Sequence, residues 1–280
     1  MPANRQVPLV KHEPLEGPYS LLTFRHPEVA QEARAGQFVM IKAGTSAEPP
    51  LRRPFSILRA NPDIGTFTLF VKAVGSGSRA LAGLRPGETA MCLGPLGRPF
   101  TLPAQGDEAV MVAGGYGIAP FLMLSEEIRR QGGRGRVFYG GRTAGDLQVR
   151  APFAELGMSL VSATEDGTLG HEGRVTEPLE AYLDEREGPA VLYACGPDAM
   201  LRAVGHVAEE RGLPCQVSLD PWMGCGIGTC LGCVVWIQRR DEARPRYRCA
   251  CTEGPVFEAG TVVWPGESVS AERRRNAGAA

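Results

Sequence analysis

The amino-acid sequence predicts a multidomain fold of three unlike parts, and three observations carry that prediction. Residues 1–101 alternate apolar and polar side chains in short runs broken by Gly, Pro and Asn, the pattern of an antiparallel β-barrel or sandwich. Residues 102–213 alternate compact apolar strands with helical periodicity, the pattern of a doubly wound parallel α/β sheet. Residues 214–265 lose that regularity and hold five of the eight cysteines between Cys225 and Cys251, and residues 266–280 read as a tail.

Composition narrows the function classes. A chain of 280 residues, 43% hydrophobic and 22% charged, buries proper cores. With 30 basic and 31 acidic side chains its net charge is −1, which supplies no field for nucleic acid or an acidic membrane. Only "ERRRNAGAA" is locally basic, and it reads as a solvated end. "MPANRQVPLVKHEPLEG" has no apolar core region, and no later stretch stays apolar for the length of a membrane span, so a cytoplasmic protein is expected. In a reducing compartment clustered cysteines suit metal better than disulfides.

In the first part, "YSLLTFRH", "QFVMIKA" and "GTFTLFVKAV" read as strands. "LRRPFSIL" puts two arginines and a proline ahead of another. Either the arginines are a solvated pair, or Arg53 neutralises a pyrophosphate while Ser56 and the neighbouring backbone meet a flavin ring. "KAVGSGSRAL" follows with a glycine-rich turn, Gly75 to Ser78, expected to open a helix at Ser78 and so to favour an anion.

The second part opens with "VAGGYGIAPF", a strand, glycines and a helix with Pro120 in its first turn. Its glycines, Gly114, Gly115 and Gly117, do not follow the GxGxxG spacing, so alone they are a weak dinucleotide signal. "YACGPDAM" ends a later strand with Cys195-Gly196-Pro197, where small groups let a flat ring approach the carboxyl edge of the sheet. Arg142 in "YGGRT" could meet a 2′-phosphate, whereas Glu165 and Asp166 would repel one.

The third part contains "MGCGIGTCLGC", Met223 to Cys233, with three thiols and four glycines in eleven residues. The spacing Cys225-x4-Cys230-x2-Cys233, followed by Cys249 and Cys251, is that of a plant-type [2Fe–2S] site. Such a cluster is anionic and needs backbone N–H groups aimed at its sulfurs; Gly224, Gly226, Gly228 and Gly232 are expected to supply positive φ and close approach. Four thiolates would also hold structural zinc, although zinc loops rarely need four glycines. None of the four histidines lies near these cysteines, which excludes a Rieske centre. The pair Cys230 and Cys233 leads into a strand rather than opening a helix, which argues against a thioredoxin-type thiol pair. On chemistry alone either Cys249 or Cys251 could complete the ligand set. Cys92, Cys195 and Cys215 read as isolated buried thiols.

Taken in order, "RRPFSI", "VGSGS", "GPLGRPF", "GGYGIAP" and "CGPDAML" resemble the ferredoxin-NADP reductase superfamily, a flavin barrel followed by a nicotinamide domain. The cysteine loop after the nicotinamide part, with "GPVF" behind its last cysteine and "ATEDGTLGHEGRVTEPL" in the centre, narrows the resemblance to the electron-transfer subunits of NAD-dependent dihydroorotate dehydrogenase. That resemblance implies flavin contacts at Arg53, Pro54, Phe55, Ser56, Phe70, Val71, Lys72, Gly77 and Ser78. It implies cluster ligands at Cys225, Cys230, Cys233 and Cys251, leaving Cys249 as an extra thiol, while Gly114, Gly115, Gly117, Cys195, Gly196 and Pro197 are the nicotinamide contacts expected from their own turns. Ser78 stands where the family often has Thr, and Asp220 where it often has Glu.

A hydride carries two electrons and an iron–sulfur cluster takes one, so a flavin between them is the expected intermediary. The resemblance implies FAD, a [2Fe–2S] cluster and NAD as cofactors. It further implies an FMN-containing catalytic subunit as partner, in a heterotetramer of two of each. In that arrangement dihydroorotate is oxidised at the partner's FMN, and this chain passes the electrons through cluster and FAD to NAD⁺, in pyrimidine biosynthesis. The alternative is a diaphorase-like subunit of a ferredoxin:NADP⁺ oxidoreductase or soluble hydrogenase complex.

Overall fold

Six antiparallel strands close the first barrel. The structure is a computed structural model and describes residues 4–44, 51–239 and 241–265; the tail, residues 266–280, lies outside the described residues. The barrel strands are β1 (Arg5–Pro14), β2 (Tyr19–Arg25), β3 (Phe38–Ala43), β4 (Arg53–Asn61), β5 (Thr66–Lys72) and β6 (Thr89–Leu96), joined in the order β1-β2-β5-β4-β3-β6. Helix α1 (Pro27–Glu32) starts at Pro27 behind His26, whose Nδ1 accepts the Val29 N–H. Helix α2 (Ser76–Ala82) follows β5. Leu22, Phe24, Val39, Ile41, Ile57, Phe67 and Leu69 fill the interior, with Phe24 stacked on Phe67 at 5.7 Å between centroids.

Strand β3 shows why its sequence is apolar without alternation. Val39 and Ile41 face the barrel interior, whereas Phe38 and Met40 belong to a second core outside it, together with Leu93, Leu96, Met223, Cys233 and Cys251. The cysteine loop covers the outer wall of β3 and β6, so both faces of β3 are dry.

The middle part is a sheet of β7 (Glu108–Gly114), β8 (Gly135–Gly141), β9 (Ser159–Thr164), β10 (His171–Glu172) and β11 (Ala190–Cys195), with helices α3 (Ala119–Arg130), α4 (Ala151–Glu155), α5 (Thr176–Glu185) and α6 (Asp198–Glu210). Met111, Val137, Tyr139 and Tyr193 pack with α3, and Val110, Val112, Phe138 and Leu192 pack with α5 and α6. Covered on both faces, these strands read as unbroken apolar runs.

Two strands of this sheet come from beyond residue 213. Strand β12 (Cys215–Ser218), on the cysteine-rich side of the boundary expected at residue 213, pairs in parallel with β11. After the cysteine loop come a hairpin, β13 (Val234–Ile237) and β14 (Arg246–Cys249), one helical turn α7 (Ala250–Glu253), and β15 (Val256–Glu258). Strand β15 pairs antiparallel with β12, giving the order β10-β9-β8-β7-β11-β12-β15. Short strands of four and three residues carry too little periodicity to reveal this pairing. No helix among the described residues is long and apolar enough to cross a membrane.

Candidate functional site

From β7 the chain runs to β8, β9 and β10 on one side and returns through β11 to β12 on the other, so the strand order reverses between β7 and β11. Crevices at such reversals, beyond the carboxyl ends of the strands, are where doubly wound sheets bind ligands. Here the β7 turn and the β11 turn touch. A Cβ on Gly114 would stand 2.6 Å from Pro197 Cδ, one on Gly117 would overlap the Cys195 carbonyl, and one on Gly196 would stand 2.9 Å from the Gly114 nitrogen. Gly115 has φ +53°. Six residues singled out in the sequence are therefore brought together, by glycines that let two backbones meet. Burial pushes the Cys195 thiol up to about 12, so it presents a neutral group. Tyr116, between Gly115 and Gly117, is exposed at this edge.

The backbone of Glu165 and Asp166 is tied to Gly141 and Arg142. The Glu165 N–H donates to the Gly141 carbonyl at 3.1 Å and the Asp166 N–H to that of Arg142 at 3.2 Å. The loop that carries both acids thus starts beside Arg142, whose Nε lies 3.9 Å from Asp146 Oδ2, while Asp166 Oδ1 accepts the Thr168 N–H and hydroxyl.

The residues of the expected flavin site line up on β4, β5 and α2. Arg53, Pro54, Phe55 and Ser56 are half-buried and pair with Ile41, Met40, Val39 and Phe38 of β3. Gly77 leaves room for Arg53, since a Cβ there would be 3.1 Å from Arg53 Cγ and 3.3 Å from Nε. Arg53 Nη1 donates to the carbonyls of Leu51 and Arg52 at 3.0 and 3.2 Å. Helix α2 begins at Ser76, two residues earlier than expected. The reason is Ser78, whose Oγ accepts the N–H groups of Val74 and Gly75 at 3.0 Å each and so closes the turn upstream. Phe70 and Val71 are buried, and Phe70 stacks on Tyr19 at 5.3 Å, so only their backbone is available to a ligand. The Lys72 ammonium is engaged by Asp146 at 3.1 Å.

The cysteine loop has its amides turned onto thiols. The Ile227 and Cys230 N–H groups donate to Cys225 Sγ at 3.4 Å, Gly228 N–H to Cys251 Sγ at 3.2 Å, and Gly232 N–H to Cys230 Sγ at 3.5 Å. Burial works against ionisation of Cys225, yet the N–H groups of Ile227, Cys230 and Thr229 hold its thiol down to about 6. Burial, joined by the Cys233 thiol, pushes Cys251 up. Cys225 lies within hydrogen-bonding reach of Cys230, and Cys233 within reach of Cys251. The loop thus gathers two pairs of thiols with amide donors turned onto three of the four sulfurs. Cys249 ends β14, half-buried, and also reaches Cys233, whereas Cys251 is buried in α7.

The glycine expectation holds in part. Gly226 and Gly228 have φ of +77° and +79°, but the other left-handed residue of the loop is Leu231, at +55°. Gly224 and Gly232 are not left-handed; they give the Cys230 sulfur space, with hypothetical Cβ atoms 3.3 and 3.5 Å from it. Gly226 packs on Met40 and Leu96 of the barrel wall, and the Arg98 N–H donates to the Gly254 carbonyl at 2.6 Å. The cysteine loop therefore rests on β3, directly beside β4.

Three family models cover this arrangement: an oxidoreductase FAD-binding domain over residues 6–100, an oxidoreductase NAD-binding domain over residues 111–206, and the iron–sulfur cluster binding domain of dihydroorotate dehydrogenase B over residues 220–263. The electron transfer subunit of dihydroorotate dehydrogenase B (NAD⁺) from Desulforamulus reducens is 37% identical over 243 residues, 87% of this chain and 92% of that one. The chain belongs to this family. The corresponding subunit of Bacillus caldolyticus is 38% identical over 86% of this chain and 91% of its own. Among solved structures, one of an NADH-dependent reduced ferredoxin-NADP oxidoreductase, described for flavin-based electron bifurcation, superposes with a TM-score of 0.82 at 28% identity, covering 98% of this chain and 97% of that one. A ferredoxin NADP⁺ reductase from Neisseria gonorrhoeae shares the fold over 75% of this chain and 92% of its own, with a TM-score of 0.63 at 21% identity. The family thus has its FAD-binding, NAD-binding and iron–sulfur domains in the order that the sequence predicts.

Proposed function

We propose that this chain carries electrons from a dihydroorotate-oxidising subunit to NAD⁺, with Cys225, Cys230, Cys233 and Cys251 as ligands of a [2Fe–2S] cluster. The observation that carries the reading is the seat of the cysteine loop on the barrel. Gly226 lies on Met40, and Met40 is the register partner of Pro54 in the flavin strand, so cluster loop and flavin strand are separated by one strand. Bound FAD supplies the exchange between a two-electron hydride donor and a one-electron cluster. Arg53 is assigned to a flavin phosphate, the backbone from Pro54 to Ser56 and from Phe70 to Lys72 to the flavin, and the paired glycine turns of β7 and β11 to the nicotinamide.

Trp222, just ahead of the cysteine loop, is 94% exposed, and Ile227 and Leu231 within the loop are exposed as well. An apolar face around a redox centre suits a stable partner, and we assign it to an FMN-containing catalytic subunit in a heterotetramer of two of each. The cytoplasm, whose thiol pools keep cysteines reduced, suits such a complex.

The alternative of a ferredoxin:NADP⁺ oxidoreductase subunit draws on the 0.82 structural match, but that match is 28% identical against 37–38% for the two dihydroorotate dehydrogenase relatives. The test is reconstitution. Mixed with its FMN subunit, the chain should give dihydroorotate-dependent NAD⁺ reduction. The Cys230→Ser variant, with FAD and assembly intact, should keep NADH:dye reduction and lose that coupled activity. Coupled reduction at the normal rate without a cluster would make the cluster structural only.

A further inference from the structure

Asp146 stands on the tight turn Ala144–Asp146 that follows β8, in the nicotinamide unit, yet its side chain binds the barrel. Its Oδ1 accepts the Tyr19 hydroxyl at 2.7 Å and the Lys72 ammonium at 3.1 Å. The Lys72 ammonium also lies 4.8 Å from the centroid of the Tyr19 ring, which in turn stacks on Phe70. The Asp146 backbone carbonyl accepts the Tyr139 hydroxyl at 3.2 Å, fixing the turn to β8. Side chains of Asp146 and Lys72 are 16% and 21% exposed, so water screens the pair less than it would at the surface.

The position of this group separates it from the other joints between barrel and sheet. Arg59 pairs with Glu126 at 2.6 Å and Glu127 accepts the Ala35 N–H at 3.1 Å; both acids lie in the last turns of α3, which leave the carboxyl edge of the sheet behind. Thr101 is held by Gln216 and Tyr193 behind the Phe100 stack. These joints remain when the Asp146 carboxylate is lost. The Asp146 group instead joins the end of β5, in the assigned flavin site, to the carboxyl side of β8, the neighbour of β7, whose turn Gly115–Ile118 also approaches β5.

We propose that Asp146 is a positioning residue for hydride transfer: by clasping Tyr19 and Lys72 it sets the distance between the nicotinamide turns and the flavin strand. NADH gives its hydride to the flavin, leaving NAD⁺ and reduced flavin, and an ångström-scale error in their approach lowers the rate of that step without removing either binding site. Electrons arriving through the cluster do not cross this joint. The inference rests on the functional reading above.

The experiment uses the complex of the chain with its FMN subunit, and the variants Asp146→Asn and Tyr19→Phe. Rapid mixing with NADH should show the limiting rate of flavin reduction about tenfold lower in Asp146→Asn and a smaller drop in Tyr19→Phe, with NADH affinity and FAD and iron content unchanged. Reduction of cluster and FAD by dihydroorotate should match the wild type. An unchanged limiting rate in Asp146→Asn, or an equal fall in both half-reactions, overturns the proposal. If Asp146→Asn does not retain FAD, Tyr19→Phe decides by the same two rates. Failure of dihydroorotate to reduce the wild-type complex would instead reject the functional reading.

Discussion

Gly226 of the cluster loop lies against Met40 of the barrel so closely that a methyl group at position 226 would overlap the Met40 side chain. The contact also lies at φ +77°, where an L-residue costs about 1–2 kcal/mol before any overlap is relieved. Gly226→Ala should therefore lift the loop from the barrel, lowering iron and acid-labile sulfide while FAD content stays full. Equal cluster content in variant and wild type would show that the loop can shift without loss.

The two cysteines flanking Ala250 should behave differently. Cys251 is buried and accepts the Gly228 N–H, whereas Cys249 ends a strand and is half-buried. Replacing Cys251 with Ser should remove the cluster, and Cys249→Ser should leave iron and sulfide near the wild-type ratio. The opposite pattern would exchange their roles, and stoichiometric zinc without sulfide in anaerobically prepared protein would replace the cluster altogether.

Arg53 fills the space left by Gly77, next to the start of α2. A charge-assisted hydrogen bond from its guanidinium to a flavin phosphate is worth about 1.5–3 kcal/mol, so Arg53→Ala should weaken FAD binding roughly ten- to a hundredfold. Flavin titration of the apoprotein measures this; unaltered affinity would make Arg53 a surface charge.

Selection against a 2′-phosphate should reside in Glu165 and Asp166, whose backbone is tied to Gly141 and Arg142. In the double variant Glu165→Gln, Asp166→Asn, the ratio of kcat/KM for NADPH over NADH should rise about tenfold, because exposed like charges contribute on the order of a kilocalorie per mole. The rise should shrink at high salt. A ratio unmoved at low ionic strength would place selectivity elsewhere.

Much of this molecule is legible in its sequence because the relevant signals are local. Strand alternation in "YSLLTFRH", the glycines of "GGYGIAP" and the Cys225, Cys230, Cys233 spacing each specify a turn, a strand or a ligand pattern within a dozen residues. What escaped was set by distant partners. The unbroken "FVMI" of β3 is a signal that its outer face is covered, but nothing in those four residues says by what. Leu231 takes a glycine-like φ because its neighbours are fixed by thiols on both sides, a constraint no propensity reports. The turn at Ser78 and the clasp at Asp146 depend on side chains meeting backbone or a second domain, which alternation and spacing do not encode.

The pairing of β15 with β12 bears on how the chain is made. Adjacent strands lie about 4.8 Å apart, so the cysteine segment leaves the sheet and re-enters it almost at the same place. It is hung on the nicotinamide unit like a loop insertion rather than appended to its end. During synthesis the outer edge of β12 waits for the residues that reach Glu258, and until then it offers unpaired amides and carbonyls to any passing strand. A chain interrupted within the cysteine segment should therefore aggregate through its nicotinamide sheet, even though every residue that forms the nicotinamide turns has already been made.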